Sequence, residues 1–407
     1  MSFFGGANRE YRNLYLISLR SGVAYDDNVF SNDQDRKGDF AYTIGPRISI
    51  TQASSKLNGF ITYSPILIKH QRYSRFDRIE QDAELDLERQ VSPHATLRFR
   101  GAFRDGRLPP FDGLSDQPAE FNLIDQPSDL NLMAVARRTL GIASLNATYQ
   151  FARRSQLQLN GSFYNLQMKD FIPNQEVRLI DTQSTSARAL YSYRLSQRLS
   201  VGFLYSFINL SFQRQSPART EVHSFLYDQA ITFSPQSKLE FFGGPEHSRT
   251  VNQIVLSLPG TAQLFLPATS TSLSWAGGAT YSWEHAKSGF RAMVDRGIGG
   301  GGGLMTASRR TEGRVQVSRQ LSRQWRVLLS ASYEDDDLLS VLATHATLKM
   351  FTANGGLSYR ISENAYAHFQ YGRLQRERGG ALPVTIDNNY DRVQFTFQYE
   401  ILKSRGR

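Results

Sequence analysis

The sequence has 407 residues and no cysteine, which excludes a disulfide framework and a thiolate metal site. It also lacks any run of the roughly 18 consecutive apolar residues that a membrane-spanning helix needs, so a helical membrane protein is excluded. A mean hydropathy of −0.41 does not exclude a transmembrane β-barrel, because its alternating strands average out to a mildly polar composition.

No basic tail is present, although the chain carries a net charge of +10 from 47 Lys and Arg against 37 Asp and Glu. The arginines are scattered through strand-like segments, so nucleic acid is not an expected partner. The opening residues, MSFFGGANRE, lack a basic segment followed by an apolar stretch, and no signal peptide is predicted in the chain as given.

Alternation of apolar and polar residues is the dominant pattern. In DRVQFTFQYEI, residues 391–401, Val393, Phe395, Phe397 and Tyr399 are separated by polar residues, and a strand places the two sets on opposite faces. Segments with the same pattern are 78–91, 95–104, 156–165, 272–283 and 324–333. Helical periodicity is nearly absent, so the chain is predicted to be all β.

Short and long connections alternate along the chain. The short polar ones are 52–56, 91–95, 152–156, 194–198, 234–238, 285–289, 319–324 and 360–365. The longer ones are 27–39, 68–78, 104–131, 168–181, 213–220, 247–270, 297–308, 335–345 and 374–389. Outer-membrane barrels have short periplasmic turns and long extracellular loops, so we predict a transmembrane up-and-down antiparallel β-barrel of about 18 strands.

The predicted barrel is a single domain over residues 1–407, with residues 1–12 as a periplasmic N-terminal segment. The segments 132–152 and 288–297 are irregular, and the count falls to about 16 strands if they do not pair. So many alternating strands carry too many apolar residues for one sandwich core and too many charges for a packed interior. The apolar face should meet lipid in the bacterial outer membrane, with a water-filled lumen inside unless something plugs it.

Residues 21–30, SGVAYDDNVF, end the first predicted strand in a pattern Gly-x-x-Tyr-Asp-x-Asn-Val-Phe. This resembles the outer-membrane β-barrel porin family encoded with bacterial exopolysaccharide and exosortase loci. The resemblance implies an outer-membrane location and a part in polysaccharide export, and it supplies no functional residues. Asp26, Asp27 and Asn28 also fit an Asx-type turn that closes the strand, and a cation or lipopolysaccharide contact is the alternative.

Two neighbouring strands carry the densest predicted charge on the lumen side. The carboxylates of segment 78–91 are Glu80, Asp82, Glu84, Asp86 and Glu88, and the arginines of segment 95–104 are Arg98, Arg100 and Arg104. They are predicted either to pair across the strands or to form a charged stripe that selects solutes by charge.

Further lumen-side arginines are predicted at Arg20, Arg47, Arg188, Arg291, Arg310, Arg314, Arg326, Arg360 and Arg392. Guanidinium groups suit carboxylates and sulfates. A largely positive wall with one acidic strip would therefore favour anionic solutes, including acidic polysaccharide.

Three of the predicted loops have unusual composition. Loop 104–131 is expected to fold inward and constrict the pore, with its carboxylates at Asp112, Asp116, Glu120, Asp125 and Asp129. Loop 247–270 is too apolar for free exposure and should cap the mouth or contact a partner. The run Gly299–Gly303 is predicted to be a mobile loop tip.

No catalytic or metal motif is present among the 7 histidines: neither HExxH nor GxSxG occurs. His368 alone is predicted to face the lumen from within a strand. We therefore expect no catalysis, no metal and no cofactor.

The function predicted from these features is passage of hydrophilic molecules across the outer membrane, with exopolysaccharide export as the first hypothesis. The expected partners are outer-membrane lipids and lipopolysaccharide, anionic polysaccharide, and periplasmic or lipoprotein export components. The alternatives are a general diffusion porin for small solutes, a plugged barrel that serves as a platform for a partner protein, and a soluble lectin-like β protein.

Overall fold

The chain folds into one closed antiparallel sheet of 18 strands in the computed structural model. Each strand pairs with its sequence neighbours, and β1 pairs with β18 to close the cylinder. The structure describes residues 14–30, 33, 35–106, 137–169, 180–213, 218–257, 263–301, 305–339, 346–380 and 389–405. The predicted up-and-down barrel of 18 strands is confirmed.

The strands are β1 Leu14–Asp26, β2 Asp39–Ala53, β3 Leu57–His70, β4 Arg78–Ser92, β5 Ala95–Gly106, β6 Arg138–Ala152, β7 Ser155–Met168, β8 Asp181–Arg194, β9 Leu199–Gln213, β10 Ala218–Ser234, β11 Ser237–Ser257, β12 Gln263–His285, β13 Ser288–Gly301, β14 Met305–Gln320, β15 Trp325–Leu338, β16 Ala346–Arg360, β17 Ala365–Gly380 and β18 Tyr390–Arg405. A short 3-10 helix, Ser74–Phe76, lies between β3 and β4. Among the described residues, no helix is long and apolar enough to cross a membrane.

The two ends of the barrel differ, and we name them the turn end and the loop end. Eight short turns lie at the turn end, where Leu14 of β1 also pairs with Arg405 of β18. Serine hydroxyls accept backbone N–H bonds in several of these turns, as Ser54 does from Leu57 at 2.9 Å and Ser322 from Trp325 at 3.1 Å. Serine is favoured in tight turns for this reason.

Several predicted long loops are shorter than expected because the strands continue into them. Most of segment 247–270 is not a loop: β11 and β12 pair through it, with Ile254 opposite Leu266. The apolar residues of this segment are good strand formers, which explains why it extends the two strands and does not form the predicted loop. Gly299–Gly301 pairs with β14 and is likewise not a loop tip, while Gly302 and Gly303 lie outside the described residues. The irregular segment 132–152 contains β6, and the irregular segment 288–297 is the first part of β13.

The polarity of the barrel is the reverse of that of a soluble protein. On β18, Phe395 is 50% exposed, whereas Gln398 and Glu400 are 7% and 8% exposed. The same holds around the sheet, where exposed outward residues include Ile48, Ile61, Leu97, Leu145, Leu159, Val317 and Leu329. The apolar face therefore points outward, as the alternation predicts.

Aromatic side chains border this apolar face at both ends. At the loop end Tyr25 lies 4.9 Å from Phe40, and at the turn end Trp325 lies 4.4 Å from Tyr359, between ring centroids. The stretch of β1 from Tyr15 to Tyr25 rises by about 25 Å at about 3.3 Å per residue and a tilt of about 40°. An apolar band of about that height between two aromatic girdles matches the hydrocarbon layer crossed by outer-membrane barrels.

Candidate functional site

The strand register places all the predicted lumen-side arginines and the β4 carboxylates on the inner face of the barrel. Arg392, for example, precedes outward-facing Val393, and Arg20 is paired with inward-facing Gln398. Arg188 is paired with Asn160, and both lie between outward-facing residues. That these side chains line a conducting pore stays a prediction.

The charges of β4 and β5 form a ladder of ion pairs. Arg98 donates from Nε to Asp86 Oδ1 at 2.8 Å, and the Nε of Arg100 lies 3.3 Å from the same carboxylate. Arg104 reaches Asp82 at 3.2 Å and Glu84 at 3.1 Å. The register explains the ladder, because Asp82, Asp86 and Glu88 lie opposite Arg104, Arg100 and Arg98, respectively. Of the two sequence interpretations, cross-strand pairing describes the geometry.

A second acidic group lies on the inner face of β13, β14 and β15. Arg310 Nε lies 2.8 Å from Glu334 and 3.0 Å from Asp336, and Arg314 lies 2.6 Å from Glu312. The expectation of a largely positive wall with one acidic strip is therefore wrong. The alternation in SYEDDDL, residues 332–338, carries the signal, because it puts Glu334 and Asp336 inside and Asp335 and Asp337 outside.

On two strands the inner face is more deeply buried toward the loop end than toward the turn end. On β10 the inward residues Thr220, Val222 and Ser224 are buried, whereas Ala230 and Thr232, nearer the turn end, are half-buried. β16 repeats this change, from buried Leu348 and Met350 through half-buried Ser358 to exposed Arg360. On β1 and β18, in contrast, Ser18, Gln398 and Glu400 are buried near the turn end.

Part of the burial at the loop end comes from the loop-end portion of β13 and β14. We call residues 297–300 and 307–310 the inserted hairpin end. Its Ile298 and Ala307 belong to one buried apolar cluster with Leu210, Phe212 and Val222 of β9 and β10. The last three are inward-facing, so the inserted hairpin end packs against the inner wall of the barrel.

Buried polar side chains that the sequence reasoning missed also lie at the loop end. Arg138, Arg376 and Tyr390 are inward-facing and almost fully buried. Arg376 lies within electrostatic range of Tyr390 and of Glu334. Each of the three residues occupies an inward position in the alternation, so the face on which it lies was predictable. The burial of its side chain was not, because it depends on what packs against that side chain across the lumen.

The Asp-Asp-Asn motif after β1 joins the first and last strands. Asp26 Oδ1 accepts from the backbone N–H of Asn28 at 2.9 Å, which is the expected Asx-type turn. The side chain of Asn28 donates to Asp33 at 3.0 Å and to the carbonyl of Asn389 at 3.1 Å. Asp27 accepts from the N–H of Asp391 at 2.7 Å. The motif therefore fixes the closure of the barrel between β1 and β18.

The remaining predictions for the interior concern His368, metal binding and the constriction residues. His368 faces inward, and its Nδ1 lies 2.9 Å from the hydroxyl of Ser358 on the neighbouring strand. Within the described ranges, no group of three or more histidines or carboxylates is placed to hold a metal ion. The expected constriction residues Asp112, Asp116, Glu120, Asp125 and Asp129 lie outside the described residues.

No family model and no curated protein sequence match the chain. Solved structures of similar architecture include the unliganded ferric citrate transporter FecA (10% identity, TM-score 0.45, 93% of this chain and 63% of that chain). OpdQ of Pseudomonas aeruginosa has 11% identity and a TM-score of 0.42 over 97% of this chain and 100% of that one. The outer membrane protein OpdK of the same organism has 9% identity and a TM-score of 0.42 over 96% and 99%. Likeness at this level carries no information about cargo.

Proposed function

We propose that this protein is an outer-membrane channel that passes hydrophilic molecules. The observation that carries the proposal is the reversed polarity of the barrel, with an apolar band outside and charged and amide side chains inside. Such a surface is stable only in a lipid bilayer, and such an interior favours water and polar solutes. Outer-membrane lipids would contact the band, and lipopolysaccharide its loop-end border. We expect transport and no catalysis.

The burial gradient along β10 and β16 supports movement outward from the periplasm. Outer-membrane barrels place short turns in the periplasm and long loops outside the cell. In that orientation the more accessible inner residues of these two strands lie toward the periplasm, and their buried loop-end residues lie toward the exterior, where we place the barrier. A molecule delivered by periplasmic or lipoprotein export components could therefore enter the cavity before the barrier opens. This is the basis for keeping exopolysaccharide export as the finer proposal.

The wall of the cavity on β6, β7 and β8 is suited to a polyhydroxylated cargo. Most of its accessible inward residues carry amide or hydroxyl groups, and Arg188 of β8 is a charged residue among them. The uncharged ones are Asn146, Thr148, Gln156, Gln158, Asn160, Ser162 and Ser192. Such groups exchange hydrogen bonds with sugar hydroxyls without the desolvation cost of a charge. Anionic polysaccharide is the second cargo class, favoured by the exposed inward guanidinium groups of Arg326 and Arg360 at the turn end.

Recordings from the purified protein in planar bilayers test the proposal. Export predicts ionic conductance that is reduced by polysaccharide fragments added on the turn-end side and not by the same fragments on the loop-end side. A general diffusion porin predicts conductance that is indifferent to polymer. A barrel that is a platform predicts no conductance and co-purification of a partner protein, and this result would refute the channel.

Neutral and acidic fragments of equal length distinguish the two cargo classes. Block by neutral fragments alone supports the amide and hydroxyl wall as the contact surface. Block by acidic fragments alone supports the arginines. Side-specific addition requires a known orientation, which cleavage of a protease site placed in the turn at residues 235–236 reports.

A further inference from the structure

The seam between β12 and β13 is paired over only part of its length. The two strands pair from His285 opposite Ser288 up to Gly277 opposite Arg296. Above that point β12 continues paired with β11, and β13 continues paired with β14. Both strands of this seam therefore continue toward the loop end without pairing with each other.

The inserted hairpin end lies behind the unpaired stretch of β12. The backbone N–H of Ile298 donates to Glu246 Oε2 of β11 at 3.4 Å. Arg309 of β14 donates to the Ser272 hydroxyl of β12 at 3.3 Å. Neither pair of strands is adjacent in the sheet, so the end of the β13–β14 hairpin has moved inside the wall formed by β11 and β12.

The sequence of the inserted hairpin end nevertheless fits a position in the wall. Extending the register beyond Gly277 and Arg296 puts Ile298 opposite Trp275 and Gly300 opposite Leu273. Ile298 would then face outward beside Trp275, in phase with the alternation of the rest of β13. Leu273 and Trp275 are 76% and 72% exposed, more than the other large apolar side chains of the described strands, which is consistent with a missing cross-strand neighbour.

We propose that the inserted hairpin end is a gate that closes the loop-end mouth when it lies inside and opens the mouth when it pairs with β12. In the closed position it is held by the Glu246 hydrogen bond and by the apolar cluster of Ile298 and Ala307. In the open position these contacts are exchanged for ladder hydrogen bonds along β12 and for apolar contact with Trp275. Gly297 directly follows Arg296, the last residue of β13 that pairs with β12, and gives the backbone the freedom that the exchange needs at this point.

The gate rests on the proposed channel function, but the movement of the inserted hairpin end into pairing with β12 can be tested separately. Because the chain has no cysteine, pairs of cysteines can be introduced without background. The closed pair is Ile298→Cys with Val222→Cys, and the open pair is Ile298→Cys with Trp275→Cys. Each is treated with a short thiol cross-linker in the folded protein, and cross-linking is read by mass spectrometry before conductance is recorded. The three single-cysteine variants are the controls.

The gate predicts that both pairs cross-link. The closed pair should then lose conductance, which reduction of the cross-linker restores, and the open pair should conduct about tenfold more than the untreated variant. The gate is refuted if the open pair does not cross-link, or if it cross-links without a change in a measurable conductance. If the open pair cross-links and no variant conducts, the channel function fails while the movement stands.

A second closed pair covers the case in which Val222→Cys does not fold. Ser272→Cys with Arg309→Cys replaces two polar side chains that are in contact only when the hairpin end is inserted. Its cross-linking should also abolish conductance. Unchanged conductance after complete cross-linking would overturn the gate independently of the first pair.

Discussion

Glu246 on β11 accepts a hydrogen bond from the backbone of Ile298 on β13, although β12 lies between these strands in the sheet. The same carboxylate accepts from Ser224 and Ser274 at 3.3 Å each. One buried side chain thus ties the inner faces of β10, β11 and β12 to the inserted hairpin end. It is the polar contact on which the closed state depends most directly.

Replacing Glu246 should therefore favour the open channel. Glu246→Ala removes a long hydrogen bond, worth about 1 kcal/mol, from the closed state, so the open fraction should rise about fivefold. Single-channel recording measures the open fraction directly. Glu240→Ala is the matched control, because Glu240 faces inward on the same strand near the turn end and pairs with Lys238. An equal rise in both variants would remove the specific role of Glu246.

The ion-pair ladder of β4 and β5 should contribute to stability according to burial. Asp86→Ala leaves Arg98 and Arg100 without their shared carboxylate and should lower the free energy of unfolding by about 3 kcal/mol. Glu88→Ala should cost less than about 1 kcal/mol, because Glu88 is exposed and lies 3.9 Å from Arg98. Urea titration in lipid vesicles measures both. Equal costs would mean that the ladder is not buried as described.

The arginines at the turn-end opening should control ion selectivity. Arg326 and Arg360 are exposed and face inward, so replacing both with Glu should shift the reversal potential toward cation selectivity. Arg319→Glu provides the control, because Arg319 lies close to the same end on the outer face, opposite Val327. An equal shift in the Arg319→Glu control would show that the selectivity does not come from arginines on the inner face.

The Asp-Asp-Asn motif should stabilise the barrel closure. Asn28→Ala removes two hydrogen bonds from a buried side chain and leaves the carbonyl of Asn389 without one of its donors, at a cost of about 2 kcal/mol. Asp35→Ala, in the same connection but largely exposed, should cost less than about 1 kcal/mol. Thermal unfolding in detergent compares the two. Indistinguishable melting temperatures would show that the motif does not hold β1 to β18.

The barrel itself could be predicted from the sequence because alternation and connection length are local properties. The alternation in DRVQFTFQYEI predicts a strand and its two faces. The two-residue turns at 93–94 and 153–154 predict that the strands they join are antiparallel neighbours. Cross-strand pairing of Arg100 with Asp86 was also foreseeable, since the two residues lie directly opposite each other on adjacent strands.

The closed mouth could not be predicted because it depends on contacts between distant strands. The alternation predicts that Ile298 faces outward from an ordinary wall strand. Nothing near it in the sequence indicates that it belongs to one buried cluster with Val222. The apolar segment 247–270 suggested a cap for a similar reason: composition reveals hydrophobicity, whereas pairing partners decide whether it is used in a strand or a loop.

The central claim is that the apolar face of the strands meets lipid and the polar face encloses the channel. Single cysteines introduced one at a time from residue 393 to residue 400, and spin-labelled in lipid vesicles, test it most directly. We predict that labels at Val393, Phe395, Phe397 and Tyr399 are relaxed by oxygen dissolved in the bilayer. Labels at Gln394 and Thr396, the half-buried inward positions between them, should be relaxed by a water-soluble nickel complex. Uniform relaxation along the strand, or alternation of the opposite phase, would contradict it.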